Sequence, residues 1–311
     1  MDPLGQLLEA RDVGRAVTEG GIAHMRAQAL SQVRRSMGMT RQPPPPCADP
    51  ELAYIAPGSV VRRIHGDLPA MLIGGLSALL FQMLHPLAMA GVARHSQYRS
   101  DPLGRLERTA TFLGTTTFGT RDEARAAIAR VRGVHARVRG TAGDGRTYSA
   151  ADPDLLTWVH AAEVSSFLAA SRVYAAVRPT RAEEDDYLDQ MAVVARDLGA
   201  VDVPHSVSDL DAYFVEVRPR LAFTPEARDA RNFVLRGVGR WPHEVATYGL
   251  LVGAAQGVLP TWARRQLRLP ALPAGDRLAV RPSARLLGSA FRWVVAPPRT
   301  TDALAAGPGP A

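Results

Sequence analysis

Lysine is absent from this chain of 311 residues; the 37 basic side chains are all arginine. Its absence excludes lysine Schiff-base chemistry, including that of the usual pyridoxal phosphate enzymes, and a standard P-loop with its lysine. Cysteine occurs once, at Cys47, which excludes an internal disulfide, a cysteine zinc site and an iron–sulfur cluster held by this chain. A reducing cytoplasm fits that usage. The start of the chain (Met1-Asp-Pro-Leu-Gly5) also lacks the basic-then-apolar pattern of a signal peptide, so the expected location is cytoplasmic. Aromatic residues are 6%, and the arginines are interspersed with acids. Nucleic acid is therefore not an expected partner despite a net charge of +7, since binding it calls for clustered basic residues interleaved with aromatics. Gly-x-Gly-x-x-Gly after a strand, Gly-x-Ser-x-Gly and His-Glu-x-x-His are missing too. Dinucleotide, hydrolase and zinc-protease chemistry lose their usual support. No period-2 strand pattern and no internal repeat is present.

Hydrophobic residues make up 46% of the chain, enough for a sizeable core, and their spacing is helical; the expected fold class is all-α. Helix starts are marked clearly. Asp101-Pro102 precedes a helix through Leu113, and Asp152-Pro153 opens a long apolar helix to about Val177. Thr120 with Glu123, and Thr180 with Glu183, form capping boxes; the first opens a helix expected to stop at Gly140, the second one to about Leu198. Ser206 to Arg220 and Thr224 to Val238 continue the pattern. The stretch from Leu68 to Ala93 carries no formal charge and is long enough to span a bilayer. It also holds Pro69, Gln82, His85 and Pro86 and has no aromatic belt. A buried core helix broken at Pro86 is the expectation, with a transmembrane segment as the alternative. Val245 to Leu259 is similarly apolar but too short to span. The expected organisation is an N-terminal amphipathic helix (Pro3 to Met37) and proline linker over residues 1–50, a main helical domain over 51–265, and a basic Pro/Ala/Arg-rich extension over 266–311. That extension includes an amphipathic helix from Ser283 to Val295 and a disordered tail from Ala305 to Ala311.

Three helices concentrate the chemistry. His135 falls on the apolar face marked by Ala124, Ile128, Val131 and Val138. A buried imidazole needs a partner, because an unsatisfied polar group inside costs roughly 1–3 kcal/mol. That partner is a backbone carbonyl, a carboxylate or a metal; with a single cysteine the natural metal candidate is haem iron. Arg139, one turn further on the same face, would reach a cofactor carboxylate or complement the helix C-terminus. Arg105, Arg108 and Thr109 share a stripe by i, i+3, i+4 spacing, which suits an anion or oxygen ligand or salt bridges to Glu107 or Asp101. His160 and Glu163 lie in the long apolar helix at the spacing of a di-iron carboxylate pair, but such sites need further Glu and Glu-x-x-His ligands that the chain does not offer. His85 reads as a hydrogen-bonded core residue, and His65 and His95 as helix-end residues near charge.

The ordered series Arg63…Gly66-Asp67, Gly74-Gly75, Ala78 to His85-Pro86, Gly91-Val-Ala-Arg-His95-Ser96, Asp101-Pro-Leu-Gly104-Arg105-Leu-Glu-Arg108-Thr109, Val134-His135-Ala-Arg-Val-Arg139-Gly140 and Trp158-Val-His160 resembles the rubber oxygenases (latex-clearing proteins) and the fungal oxygenase that trims a farnesyl chain in mycophenolic acid assembly. The resemblance covers roughly Val60 to Val238. It implies a helical domain with haem b held between helices, His135 as the axial iron ligand, and Arg139 and His160 near the haem propionates. Arg105 and Thr109 match the polar face near the haem. Arg108 stands where rubber oxygenases carry a distal lysine, and apolar Leu87 to Ala90 occupies the region where they place a distal glutamate. Haem binding thus carries over better than rubber cleavage. The expected activity is that of a haem b-dependent oxygenase or oxidase. It would act on an apolar small molecule, isoprenoid or secondary-metabolite-like, with molecular oxygen or peroxide and an electron donor. The alternatives are a non-catalytic haem sensor or carrier, and a basic helical protein in peripheral contact with membranes.

Overall fold

The computed structural model describes Gln28 and residues 46–96, 98–237, 241–270 and 275–295. Residues 42–288 make one compact unit; Gln28 and 289–295 belong to a second. The expected N-terminal helix apart from Gln28, which is helical, the first part of the proline linker and the tail from Ala305 to Ala311 lie outside the described residues.

Among those residues the chain is helical almost throughout, as an all-α fold requires. In chain order the helices are α1 (Val60–Gly66), α2 (Leu68–Gln82), α3 (Pro86–His95), α4 (Pro102–Phe118), α5 (Arg121–His135), α6 (Pro153–Tyr174), α7 (Arg181–Leu198), α8 (Val207–Val217), α9 (Pro225–Arg236), α10 (Pro242–Val258), α11 (Thr261–Gln266) and α12 (Arg281–Val295). A 3-10 turn (Arg218–Arg220) extends α8, and a π turn (Asp276–Val280) leads into α12.

The caps act where their sequence signals stand. Thr120 Oγ1 accepts from Glu123 N–H at 3.2 Å, while the Glu123 carboxylate accepts from Thr120 N–H at 2.8 Å; Thr180 and Glu183 repeat the pattern. Asp101 and Asp152 cap α4 and α6, each with proline in the first turn. The apolar run from Leu68 does break at Pro86, giving α2 and α3. Among the described residues no single helix is long and apolar enough to cross a membrane. The pair α1 and α2 has the length and composition together but is bent by 88°.

Three expectations need correction. The helix opened by Thr120 stops at His135, five residues before Gly140. Beyond it the chain forms a two-stranded antiparallel hairpin, β1 (Arg139–Thr141) and β2 (Thr147–Ser149), where no strand was expected. The local cause is Asp144-Gly145, a turn pair. Gly145 takes φ +86°, open to glycine at no steric cost. Tyr148 on β2 is buried and holds the hairpin to the core. The α4 helix also runs on to Phe118. Its threonines are tolerated because Thr116 Oγ1 bonds back to the carbonyl of Phe112 at 3.0 Å.

The core is built around α6, buried on nearly every face. Its main packing partner is α2, followed by α7 and α10; α4 instead packs on α5 and α1. A Cβ at Gly74 of α2 would come within 2.7 Å of the Phe167 ring on α6, so only glycine permits this approach. Edge-to-face rings close one end of the interface, with Phe81 centroids 5.4 Å from both Trp158 and Trp262.

Candidate active site

The middle of α6 carries two polar side chains, the buried His160 and the half-buried Glu163. His160 is 8% exposed, and its Nε2 is enclosed without a hydrogen-bond partner. Burial depresses its pKa to about 4, so the ring is neutral near pH 7. Glu163, one turn on, lies three residues along the same helix. Burial alone raises its carboxyl to about 7.

His135 ends α5. It is half-buried, with an enclosed Nδ1 that finds no partner, and burial lowers its pKa as well. The ring borders a hollow of about 420 Å³ lined also by Arg132, Ala136, Ala151, Leu198 and Gly199, within the roughly 300–1,000 Å³ usual for small-molecule sites. Helix α7 packs on both α5 and α6, and so connects the helix of His135 to that of His160. A neutral imidazole without a protein partner is what an axial metal ligand must be before binding, and a single such ligand suits haem iron. Among the described residues no group of three or more His, Cys, Asp or Glu side chains gathers as a metal site.

The arginine and threonine stripe on α4 is dispersed by the fold. Arg105 is half-buried and donates to Ser96 Oγ at 2.9 Å. Arg108 is exposed and pairs with Asp101 at 3.1 Å. Thr109 Oγ1 donates to the carbonyl of Arg105 at 3.0 Å. Arg139 is not one helical turn beyond His135, because it belongs to β1. Its Nη2 donates to the carbonyl of Ala136 at 2.6 Å, just past the end of α5, and it borders an open hollow of about 540 Å³ with Thr141, Tyr148 and Asp152.

Local sequence gave no sign of a buried polar chain beside these residues. His65 in α1 has Nδ1 2.7 Å from Thr117 Oγ1 and Nε2 3.0 Å from Tyr187 Oη. Burial pushes its pKa down to about 3, so its surroundings are neutral rather than charged. His85 differs from expectation in the other sense: it is buried, but its Nδ1 has no hydrogen-bond partner. His95 contacts Tyr148 Oη at 3.2 Å.

Among known proteins, neither the curated proteins nor the solved structures provide a match. One family model does match, described as "ER-bound oxygenase mpaB/B′/rubber oxygenase, catalytic domain", over residues 62–293. That span takes in α4, α5 and α6 whole, with every residue discussed above. With most of its length inside the match, the chain belongs to the family of mpaB and rubber oxygenase catalytic domains.

Proposed function

We propose that the chain is a haem b-dependent oxygenase acting with molecular oxygen or peroxide on an apolar small molecule of isoprenoid or secondary-metabolite type. Membership of the family supports the oxygenase class. The observation that carries the haem reading is a pair of neutral imidazoles, half-buried His135 and buried His160, with an enclosed nitrogen each (Nδ1 and Nε2) that the protein leaves unbonded.

In this reading His135 holds the iron through Nε2, the neutral form being favoured by burial; the enclosed nitrogen that lacks a partner is the other one, Nδ1. His160 and Arg139 hold the propionates, which would give His160 the partner it lacks. Bound there, the haem supplies the oxidising chemistry, which is the cofactor's own. The side chains supply position and polarity. Arg105, half-buried and always charged, offers N–H donors beside the cofactor, with Thr109 a turn away on α4. Arg108 donates to the oxidant or to a substrate carboxylate after leaving Asp101; it cannot take a proton. Leu87 to Ala90 of α3 give an apolar wall with no acid, which favours an apolar substrate.

The test is the absorption spectrum of protein expressed with ample haem, beside His135→Ala. A Soret band in the parent, lost or shifted in the variant, is expected. A colourless parent that refuses added haem overturns the reading, and a Soret band without turnover of oxygen or peroxide makes the chain a haem carrier.

A separate observation supports peripheral membrane contact. Leu278 and Leu286 are 81% and 74% exposed near the exposed Arg277 and Arg285, an arrangement suited to an anionic bilayer surface. Salt-sensitive co-sedimentation with anionic vesicles is expected, and its absence refutes this contact.

A further inference from the structure

Helix α9 and the end of α11 carry a patch of arginines that the fold leaves uncompensated. Arg228 and Arg231 stand one turn apart on α9; Arg264 and Arg265 lie in the last turn of α11, and Arg268 just beyond it. Arg231 ties the two elements, its Nη1 donating to the carbonyls of Leu267 at 2.8 Å and Arg268 at 3.4 Å. The guanidiniums of Arg231 and Arg268 also lie over one ring, 5.0 and 5.8 Å from the Phe223 centroid. Elsewhere exposed arginines find acids, as Arg108 does with Asp101 and Arg146 with Asp144. Among the described residues no carboxylate pairs with any of these five, and Arg228, Arg265 and Arg268 donate no side-chain hydrogen bond. The acids of α9 point elsewhere. Asp229 pairs with Arg99 at 3.4 Å, and Glu226 reaches towards the hairpin, 4.0 Å from where a Cβ on Gly143 would stand.

Holding like charges together costs free energy. Burial first, then the charges of Arg268 and Arg228, lower the pKa of Arg231. Arg268 adds backbone strain. Its φ is +53°, in the left-handed position after a helix where glycine is usual and carries no penalty. Uncompensated charge and a strained arginine in one place call for an anionic partner.

The patch is poorly suited to a bilayer or to nucleic acid. Among the described residues neither α9 nor α11 exposes a large apolar side chain, so nothing there anchors in acyl chains. Phe223 is half-buried and already carries two guanidiniums, so it is no free platform for a stacking base. An acidic protein fits, and the packing beneath the patch indicates which kind. Trp262 of α11 has the Arg218 guanidinium 4.5 Å from its ring centroid. Its ring lies 5.4 Å from that of Phe81, which lies 5.4 Å from that of Trp158, two residues before His160. Helix α11 thus carries part of the patch on its outside and starts a series of packed rings that ends on α6.

We infer that the α9–α11 arginine patch docks an acidic electron-transfer protein, which delivers electrons singly to the cofactor of the site. The donor is oxidised and the cofactor reduced by one electron, and no bond forms or breaks. The inference rests on the haem reading above, because the electron needs a redox group to receive it.

The test uses two acidic probes, a plant-type ferredoxin and a flavodoxin, with haem-free and haem-loaded protein. Three proteins are compared: the parent; Arg228→Ser with Arg265→Ser and Arg268→Gly; and a control of equal charge, Arg125→Ser with Arg130→Ser and Arg178→Ser. All six positions are exposed. At low salt the parent is expected to associate with the probes, and the patch variant to do so roughly tenfold more slowly, with a shallower dependence on salt. The control is expected to keep the parent's rate. The same order is expected when reduced ferredoxin reduces the haem-loaded proteins, followed at the Soret band. No association with either probe, or equal rates in patch variant and control, overturns the inference. So does patch-dependent binding of DNA or of anionic vesicles that is tighter than that of both probes. Each of these outcomes leaves the haem reading intact, whereas a parent with no Soret band after haem is added overturns both.

Discussion

His65 and His160 are equally buried, each 8% exposed, and burial holds both imidazoles neutral, with pKa values of about 3 and about 4. They differ in what surrounds the nitrogens. His65 bridges Thr117 and Tyr187 and ties α1 to the last turn of α4 and the second turn of α7. His160 has an enclosed Nε2 with no partner at all. Burial and a depressed pKa therefore do not separate a structural histidine from a binding one. What differs is whether the fold completes the hydrogen bonds: an enclosed polar atom left unbonded costs free energy unless something else supplies the bond, and His85 Nδ1 shares that feature with His160 Nε2.

The largest expected effect comes from that contrast. In haem-free protein, His65→Leu is expected to destabilise by about 4 kcal/mol, since two buried hydroxyls each lose a partner worth roughly 1–3 kcal/mol. His160→Leu is expected to stay within about 1 kcal/mol of the parent, because no bond is broken and one unsatisfied nitrogen is removed. Urea unfolding of the three proteins measures both. Equal losses would mean that His160 is as structural as His65.

Two acids, half-buried Glu163 and buried Glu184, repeat the contrast with charge. Glu163 has a usual value of 4.5 and a folded value of about 7. Between these the folded chain keeps a proton that the unfolded chain has lost, so stability falls as pH rises across that window, and the deficit persists above it. A shift of this size corresponds to about 3 kcal/mol. Glu163→Gln removes it. The variant is expected to gain up to about 3 kcal/mol over the parent between pH 5 and pH 8, measured by urea unfolding without haem. Buried histidines act in the opposite direction: His65, His85 and His160 cost stability as pH falls from 6.5 towards their depressed values. They are shared by both proteins and cancel in the difference. Glu184→Gln, by contrast, is expected to destabilise at pH 8, because Arg172 then loses its partner. A Glu163→Gln variant no more stable at pH 8 than at pH 5, relative to the parent, would show that water or a counter-charge already stabilises this half-buried carboxylate.

Which parts of this were legible in the sequence depends on range. Helix starts depend on residues three apart, so Thr120 with Glu123 and Thr180 with Glu183 could be read directly and fold as read. The end of α5 could not, because it is decided by the hairpin after it. Ala150 N–H reaches back to the carbonyl of Val138, and Tyr148 anchors β2 in the core. Asp144-Gly145 was the available signal, overshadowed by an apolar spacing that continues to Val138. The His65 chain was invisible because its partners stand 52 and 122 residues away. The di-iron comparison found Glu163, but its lack of a cation partner is a property of the whole packing and no local pattern encodes it. The α4 stripe was legible as a spacing, yet three residues on one stripe found three different partners.

The same range argument orders the smaller predictions. Thr120→Ala removes the capping box that starts the His135 helix, and a loss of about 1 kcal/mol is expected in thermal unfolding. If the loss is no larger in Glu123→Ala plus Thr120→Ala than in either alone, the two residues act as one unit.

Arg108→Ala should do least to stability. Its ion pair with Asp101 is 63% and 45% exposed on the two sides, and such pairs contribute roughly 0–1 kcal/mol. That smallness makes it informative. Arg105 is half-buried and bonded to Ser96, so its loss would mix folding with function. Arg108 can be removed with the fold unchanged, and an altered turnover in haem-loaded Arg108→Ala would then belong to the site alone. Unchanged turnover with haem still bound would leave Arg108 as the surface partner of Asp101, and Arg105 as the remaining charged donor of α4.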